Sequence, residues 1–357
     1  MLFRSLPIGN LCNDKIQDIV LGQENVNRQT NIVNRTPVAS CQTCYDLERG
    51  KTNFDIVSDR IFYIKELKKI PTSTYTPGNF DLKTIDVRWS NLCNFACVYC
   101  GPEFSSKWTS ELNVIRNTPT EEQLENFKQY IFDHVSELKH VYLAGGEPLL
   151  MKQNLELLEL LLKVNPNVNL RINTNLSNVD TKVFETACKF QNVHWTISVE
   201  TLNDEYEYIR YGGNWFDFMN NLTTISQLDH KITFNMLHFL LNYLSVFECV
   251  DWFRSLGFHP NSFVIGALLN PNYLNIRHLP KTTLKQVEQE LQRRINQNPG
   301  YLLEDSYRNM LHYINTPADK DLQNSFEQLA KLDQRRNLDS KKIFTSLYKE
   351  HYHGKTI

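Results

Sequence analysis

Three cysteines lie close together in the segment CNFACVYC, residues 93–100. Cys93, Cys97 and Cys100 have the spacing CxxxCxxC, and a loop this short can point three thiolates at one centre. Thiolates are ligands of structural zinc and of iron–sulfur clusters, but structural zinc needs a fourth protein ligand and none lies near this loop in the sequence. On a four-iron cluster, three ligands leave one iron open to bind and activate another molecule. The triplet therefore favours a catalytic iron–sulfur cluster.

A strand and a regular alternation of further strands and helices surround this loop. The segment TIDVRWS alternates apolar and polar residues and ends just before the loop, as a strand with one polar face would. Five more strand candidates follow, namely HVYLAG, VNLRINT, VHWTISV, KITFNML and SFVIGAL. Helices are predicted between them, one opened by a capping box at Thr118 and Glu121 with Pro119 at the first helical position. Six strands in this order predict an α/β fold with a parallel sheet, either open and doubly wound or an incomplete barrel.

The sheet predicts where the chemistry lies. In parallel α/β folds the functional residues lie at the carboxyl ends of the strands, and the cysteine loop follows the first strand at that edge. Two other cysteines, Cys188 and Cys249, fall in predicted helices and are expected to pack as small buried apolar residues. Neither is expected to ligate a metal.

The flanking regions differ in pattern from the barrel. We expect residues 1–80 to form an irregular, cysteine-containing segment that ends in the linker IPTSTYTPGNF, residues 81–275 to form the barrel, and residues 276–357 to form a helical extension. Helical spacing in the extension is clearest in two stripes, Leu284, Val287, Leu291 and Ile295, then Leu322, Phe326, Leu329 and Leu332.

Composition narrows the class of protein. The chain has 357 residues, 41% of them hydrophobic, and a net charge of −2, so it is globular and nucleic acid is not a favoured partner. No apolar run is long enough to cross a bilayer, and the amino-terminal stretch is too short for a secretory signal. We therefore expect a cytoplasmic protein without a membrane partner. In the reducing cytosol, paired cysteines hold metals more often than they form disulfides.

The cysteine spacing and several later motifs resemble the radical S-adenosylmethionine (radical SAM) superfamily. Its signature is CxxxCxΦC, in which an aromatic residue precedes the last cysteine, and Tyr99 stands at that position. The second predicted strand ends in a sequence similar to the GGEP motif, which contacts the amino group of S-adenosylmethionine in this family. The residues of this motif are Gly145, Gly146, Glu147 and Pro148.

Residues after the next two strands extend the resemblance. Asn175 follows the third strand, where the family has a further cofactor-binding motif. Ser198 and Glu200 lie at the end of the fourth strand and resemble the position that contacts the ribose. Arg210 stands where relatives use arginine to bind the methionyl carboxylate. Four successive strands thus deliver matching groups to one edge in the expected order.

The resemblance implies a partial (β/α)6 TIM-type barrel and a radical mechanism. Cys93, Cys97 and Cys100 would hold a 4Fe-4S cluster at which S-adenosylmethionine is reductively cleaved to a 5′-deoxyadenosyl radical, which abstracts hydrogen from a substrate. An electron donor such as flavodoxin or ferredoxin is implied as a partner. A peptide or protein side chain is the substrate suggested by analogy. The alternative is a non-enzymatic binding protein stabilised by zinc.

The amino-terminal segment resembles that of twitch-domain-containing radical SAM proteins. There a CxxC element, here Cys41 and Cys44, helps to bind an auxiliary iron–sulfur cluster, and Cys12 is the only further candidate ligand upstream. Relatives carry more cysteines before this point, which suggests that the segment is truncated in this chain. Cys41 and Cys44 as free thiols, or as half of a zinc site, form the competing interpretation.

Overall fold

The computed structural model describes residues 7–48, 76–78 and 80–352 of the chain. Most of the predicted linker, and the rest of the region between residues 49 and 75, lie outside the described residues. The chain divides into two compact units, one formed by residues 1–83 with 117–137 and the other by residues 84–116 with 138–357. The predicted boundaries at residues 80 and 275 stay a prediction.

A six-stranded parallel sheet forms the centre of the second unit. Its strands are β1 (Thr84–Val87), β2 (His140–Leu143), β3 (Asn169–Thr174), β4 (Val193–Ser198), β5 (Lys231–His238) and β6 (Phe263–Ala267). The order in the sheet follows the order in the chain, and every neighbouring pair is parallel. All six predicted strand segments are confirmed, and the architecture is that of a partial (β/α)6 TIM-type barrel.

Apolar side chains of the central strands build the core. Trp195 and Ile197 on β4 are fully buried, as is Phe234 on β5. The Phe234 ring stacks on those of Phe253 and Phe263, with centroids 4.3 and 5.3 Å away. Burial on both faces is typical of parallel strands, and it holds the carboxyl ends of the strands in fixed positions.

Helices alternate with the strands and continue after them. They are α1 (Ile16–Leu21), α2 (Gln23–Val33), α3 (Gln42–Glu48), α4 (Ser106–Leu112), α5 (Glu121–Asp133), α6 (Lys152–Val164), α7 (Lys182–Ala187), α8 (Asn203–Ile209), α9 (Trp215–Ser226), α10 (Ser245–Ser255), α11 (Lys281–Gln297), α12 (Leu302–Ile314), α13 (Leu322–Arg336), α14 (Ser340–Ile343) and α15 (Thr345–His351). Within the described part of the chain, none of them combines the length and apolarity needed to cross a membrane.

The amino-terminal segment is helical where the sequence predicts irregular structure. Helices α1, α2 and α3 occupy much of residues 16–48. Polar residues do not prevent a helix when side chains four positions apart bond to each other, as Arg28 does with Glu24 and Gln23 with Asn27. The prediction missed these pairs because it relied on apolar periodicity.

The cap of α5 also differs from the prediction. The Thr120 hydroxyl accepts the backbone N–H of Gln123 at 3.2 Å, and the Gln123 side chain accepts the backbone N–H of Thr120 at 2.8 Å. The capping box therefore joins Thr120 to Gln123 rather than Thr118 to Glu121. A glutamine amide can make the return bond as well as a glutamate can, so the helix begins after Thr120.

Helix α12 was not predicted from the sequence. It packs against β6. The Ser306 hydroxyl accepts the backbone N–H of Ile265 at 3.1 Å. β6 is the last strand of the sheet, so a side chain from outside the sheet satisfies a backbone group that has no strand partner. The predicted helices at α11 and α13 are confirmed.

Candidate active site

The cysteine loop follows β1, and its backbone is anchored at several points. The backbone N–H of Ala96 donates to the Tyr211 carbonyl, and that of Val98 to the Ile209 carbonyl, each at 2.8 Å. On the other side, the Trp108 indole N–H donates to the Cys97 carbonyl at 2.8 Å. These bonds join the loop to α4, to the last residue of α8 and to the chain just after it, so the shape of the loop depends on residues well separated in the sequence.

The three loop thiols lie within electrostatic range of one another. Burial raises the pKa of the Cys93 thiol to about 12. A hydrogen bond between the Cys97 and Cys100 side chains lowers the pKa of Cys97 and raises that of Cys100. Metal binding would release the protons that the thiols still hold.

Several N–H donors surround the sulfurs. The backbone N–H of Phe95 donates to Cys93 Sγ at 3.4 Å, and Asn175 Nδ2 approaches the same sulfur at 3.9 Å. Arg210 Nη1 lies 4.0 Å from Cys97 Sγ. Such donors favour ionised sulfur, and hydrogen bonds to cysteine sulfurs are one of the factors that set the potential of an iron–sulfur cluster. The Phe95 donor therefore opposes part of the effect of burial on the pKa of the Cys93 thiol.

The spacing of the thiols matters for the kind of metal. Among the residues the structure describes, no three His, Cys, Asp or Glu side chains form a group that could hold a metal ion. In a four-iron cluster the three cysteines bind three different irons, so they need not converge on one point. Three thiols on one short loop therefore fit a cluster of this kind.

The glycine turn after β2 lies directly against the start of the cysteine loop. The backbone N–H of Glu147 donates to the Leu92 carbonyl at 2.7 Å. Gly145 has a φ of +111°, and a Cβ on Gly146 would lie 2.1 Å from the Leu92 oxygen. Only glycine permits this approach, which brings the predicted GGEP motif and the cysteine loop together.

Glu147 is buried and accepts three hydrogen bonds. The Thr174 hydroxyl donates at 2.8 Å, the Asn175 backbone N–H at 2.7 Å and the Leu149 backbone N–H at 3.1 Å. Burial raises its pKa to about 7, although these hydrogen bonds act in the opposite direction. Pro148 opens the short turn that follows and is buried. The carboxylate thereby fixes the end of β3 beside the glycine turn.

Glu200 and Arg210 form a buried ion pair. Arg210 Nε donates to Glu200 Oε2 at 2.8 Å and Nη2 to Oε1 at 2.6 Å. The Tyr99 hydroxyl donates to Glu200 Oε1 at 3.0 Å, and its ring centroid lies 5.8 Å from the guanidinium carbon. Tyr99, Glu200 and Arg210 are all predicted to contact S-adenosylmethionine, and in the structure they contact each other. Ser198, at the end of β4, is half-buried.

The upstream cysteines belong to the other unit and form no comparable arrangement. Cys12, Cys41 and Cys44 are all half-buried, and the Cys12 carbonyl accepts a bond from Gln123 Nε2 at 2.9 Å. In the described residues they do not form a group of three metal ligands. The auxiliary cluster stays a prediction. Of the two remaining cysteines, Cys249 is buried as expected, whereas Cys188 is half-buried and caps the end of α7.

Comparison with known proteins fits this geometry. Residues 87–253 match the family model of the radical SAM superfamily. This segment, a little under half of the chain, is therefore a radical SAM domain. Such a domain implies the two cofactors that the sequence predicts, a 4Fe-4S cluster and S-adenosylmethionine. The twitch assignment is not tested by these comparisons.

Individual relatives are distant. Two are named GTP 3′,8-cyclase: that of Nautilia profundicola is 32% identical over 26% of this chain and 27% of its own length, and that of Sulfurimonas denitrificans is 29% identical over 32% and 34%. The chain thus spans about a quarter to a third of these relatives. A solved structure, native anSMEcpe with bound AdoMet, aligns with a TM-score of 0.46 at 16% identity over 61% of each chain. Streptococcus suis SuiB bound to precursor peptide SuiA aligns with a TM-score of 0.45 at 15% identity over 79% of this chain and 63% of its own.

Some contacts of the cysteine loop come from residues that were not predicted to belong to the site. Trp108 donates to Cys97 through its indole, and the Tyr273 hydroxyl donates to the Val98 carbonyl at 3.3 Å. The Ser105 hydroxyl donates to the Phe95 carbonyl at 2.5 Å. Ser105 also caps α4, which is a local signal that a search for helix starts could have found. No local pattern marks Tyr273.

Proposed function

We propose that this chain is a radical SAM enzyme that reductively cleaves S-adenosylmethionine and uses the resulting 5′-deoxyadenosyl radical to abstract hydrogen from a substrate. When bound, the cluster supplies the electron that breaks the bond between the sulfonium sulfur and C5′. The observation that carries the proposal is the contact of the glycine turn with the cysteine loop, in which the Glu147 N–H donates to the Leu92 carbonyl at 2.7 Å. It brings the two motifs that define the chemistry to one place.

In this proposal the residues of the chain bind the cluster and orient S-adenosylmethionine. Cys93, Cys97 and Cys100 ligate the cluster, and the glycine turn presents the backbone to the amino group of the cofactor. Glu147 holds the end of β3 in place through Thr174. We assign Ser198 and Glu200 to the ribose of the cofactor and Arg210 to its methionyl carboxylate, with Asn175 as a further contact, although Glu200 and Arg210 are bonded to each other in the structure. Buried Phe95 and Val98 exclude water from the loop.

The substrate class is the finer part of the proposal. A peptide or protein side chain is our first candidate, by analogy with radical SAM proteins that carry twitch-like segments. We propose a cytoplasmic setting with flavodoxin or ferredoxin as electron donor, because the cluster needs a low-potential reductant. A zinc-stabilised binding protein is the weaker alternative, since structural zinc needs four protein ligands and the loop supplies three.

The test compares two cysteine variants after anaerobic reconstitution with iron and sulfide. We expect the wild type to bind iron and to produce 5′-deoxyadenosine from S-adenosylmethionine and dithionite. Cys97→Ala should abolish this production because a cluster ligand is lost. Cys249→Ala should retain it, since that buried thiol in α10 lies outside the loop and its loss leaves only a small cavity.

Two results would contradict the proposal. Equal yields of 5′-deoxyadenosine from wild type and Cys97→Ala would remove the cysteine loop from the chemistry. A colourless protein that holds zinc and takes up no iron on reconstitution would favour the binding-protein alternative. Metal analysis of the same samples by mass spectrometry separates these results.

A further inference from the structure

Arg336, the last residue of α13, is stacked between two aromatic rings beside the cysteine loop. Its guanidinium carbon lies 4.4 Å from the ring centroid of Trp108 and 4.4 Å from that of Tyr211. The residue is only 7% exposed. A guanidinium stacks well on aromatic faces because it is planar and weakly hydrated.

Both rings belong to residues that hold the cysteine loop. The Trp108 indole N–H donates to the Cys97 carbonyl, and the Tyr211 carbonyl accepts the backbone N–H of Ala96, each at 2.8 Å. Arg336 therefore joins two residues that grip adjacent positions of the loop from different parts of the chain. Moving the Trp108 ring away from the guanidinium would strain the indole bond to the Cys97 carbonyl.

Arg336 has few polar contacts, so the two aromatic rings form most of its surroundings. Its Nε lies 3.2 Å from each carboxylate oxygen of Glu111, on α4. Nη1 and Nη2 are buried and have no hydrogen-bond acceptor in the part of the chain that the structure describes, although Nη2 lies 3.1 Å from Glu111 as an ion pair. The neighbouring Arg335 also faces Glu111, at 3.5 Å, but its side chain is 40% exposed. Burial of Arg336 with so few hydrogen bonds costs free energy unless the rings compensate for it.

We propose that Arg336 is a positioning residue for the cluster-binding loop, and that the carboxyl-terminal extension acts as a clamp on this loop through it. The inference rests on the proposed function only in so far as the loop binds a cluster. The contact between α13 and the residues that hold the loop exists without the cofactor. Through this contact the segment LDQRRN, residues 332–337, gains a role, although it lies outside the match to the family model.

The first test measures how readily Cys97 is alkylated in the full-length, reduced chain without metal. Peptide mass spectrometry after timed iodoacetamide labelling reports Cys97 and Cys249 separately, and both thiols are buried. We expect Arg336→Met to increase the labelling rate of Cys97 about tenfold, because the loop opens locally when the stacking is lost. Cys249 should label at the wild-type rate, and Arg335→Met should leave both rates unchanged.

The outcomes of labelling separate a local clamp from general destabilisation. An unchanged Cys97 rate in Arg336→Met would overturn the inference, and so would equal acceleration of Cys97 and Cys249, which would indicate loss of the whole fold. A wild-type rate in Arg336→Lys would also overturn it, because lysine keeps the charge without the flat surface that stacks between the rings.

The second test uses the reconstituted chain and follows iron release to a chelator. We expect Arg336→Met to release iron several-fold faster than wild type and Arg335→Met, since a loosened loop exposes the cluster. Equal release rates would overturn the inference and leave the proposed function intact. A wild type that takes up no cluster would overturn the proposed function, while the labelling test would still decide whether Arg336 clamps the loop.

Discussion

Gly146 shows how closely two residues of the site must approach for the motifs to meet. A Cβ at this position would lie 2.1 Å from the Leu92 oxygen and 2.5 Å from the Leu92 carbonyl carbon. Both are backbone atoms, which cannot rotate away as a flexible side chain could. The same carbonyl accepts the Glu147 N–H, so a displaced turn would also lose this hydrogen bond.

Gly146→Ala should therefore lower the free energy of unfolding by about 2–3 kcal/mol, the upper part of the range for overpacked sites. Gly266→Ala is a suitable control, because a Cβ there meets nothing within 4 Å. It should change the stability by less than about 1 kcal/mol. Urea unfolding of both variants gives the two values. Similar losses in the two variants would show that the turn does not depend on close contact with Leu92.

At the residue scale, the sequence predicted which groups meet but not how they pair. The cysteine spacing and the GGEP motif indicated that Cys93 and Gly146 belong to one edge of the sheet. The ion pair between Glu200 and Arg210 was not predicted, because each residue was interpreted as a separate contact of the cofactor. Glu200 and Arg210 are ten residues apart, and their pairing depends on the path of the chain through α8. No local sequence pattern encodes this path.

Among the elements, α12 illustrates how a strand at the edge of a sheet is protected. β6 has a strand neighbour on one side only, and the Ile265 N–H donates to the Ser306 hydroxyl. Ser306 is buried, so water cannot replace this acceptor if the hydroxyl is removed.

We expect Ser306→Ala to destabilise the protein by about 1–3 kcal/mol, the cost of leaving a buried donor without an acceptor. Ser110→Ala removes an exposed hydroxyl that bonds only within its own helix, and it should change stability by less than about 0.5 kcal/mol. Chemical denaturation, with the slope against denaturant checked for each variant, measures both effects. Equal stabilities of the two variants would contradict the role of Ser306.

The strands were easier to predict than the helices for a physical reason. Buried parallel strands consist of short apolar segments bounded by turns, whereas β1 was found from its alternation of apolar and polar residues. Helix α12 was missed because its buried stripe includes Ser306, a polar residue among apolar ones. Helix α2 was missed because it buries none of its residues and depends on polar pairs.

For the whole molecule, burial of ionisable groups links stability to pH in two opposite directions. Burial lowers the pKa of His238 on β5 to about 4, although its hydrogen bond with the Tyr243 carbonyl opposes the shift. Between pH 6.5 and pH 4 the unfolded chain binds a proton that the folded chain does not, so stability falls as the pH falls. Burial raises the pKa of Glu205 to about 7, despite the bond from Ser245. That group contributes stability that is lost as the pH rises towards 7.

Because the two effects overlap, the contribution of His238 is best isolated by substitution. His238 is fully buried, and its Nε2 lies 3.1 Å from the Tyr243 carbonyl. In His238→Gln we expect the free energy of unfolding to depend less steeply on pH, by about 1 kcal/mol per pH unit between about pH 4.5 and 6, because one depressed titration is removed. Above about pH 7.5 the variant and the wild type should run parallel, since histidine is neutral in both states there. Urea unfolding at several pH values gives both slopes. Parallel curves over the acidic range as well would mean that His238 takes up its proton in the folded protein as easily as in the unfolded chain, and that the interior around β5 is not dry.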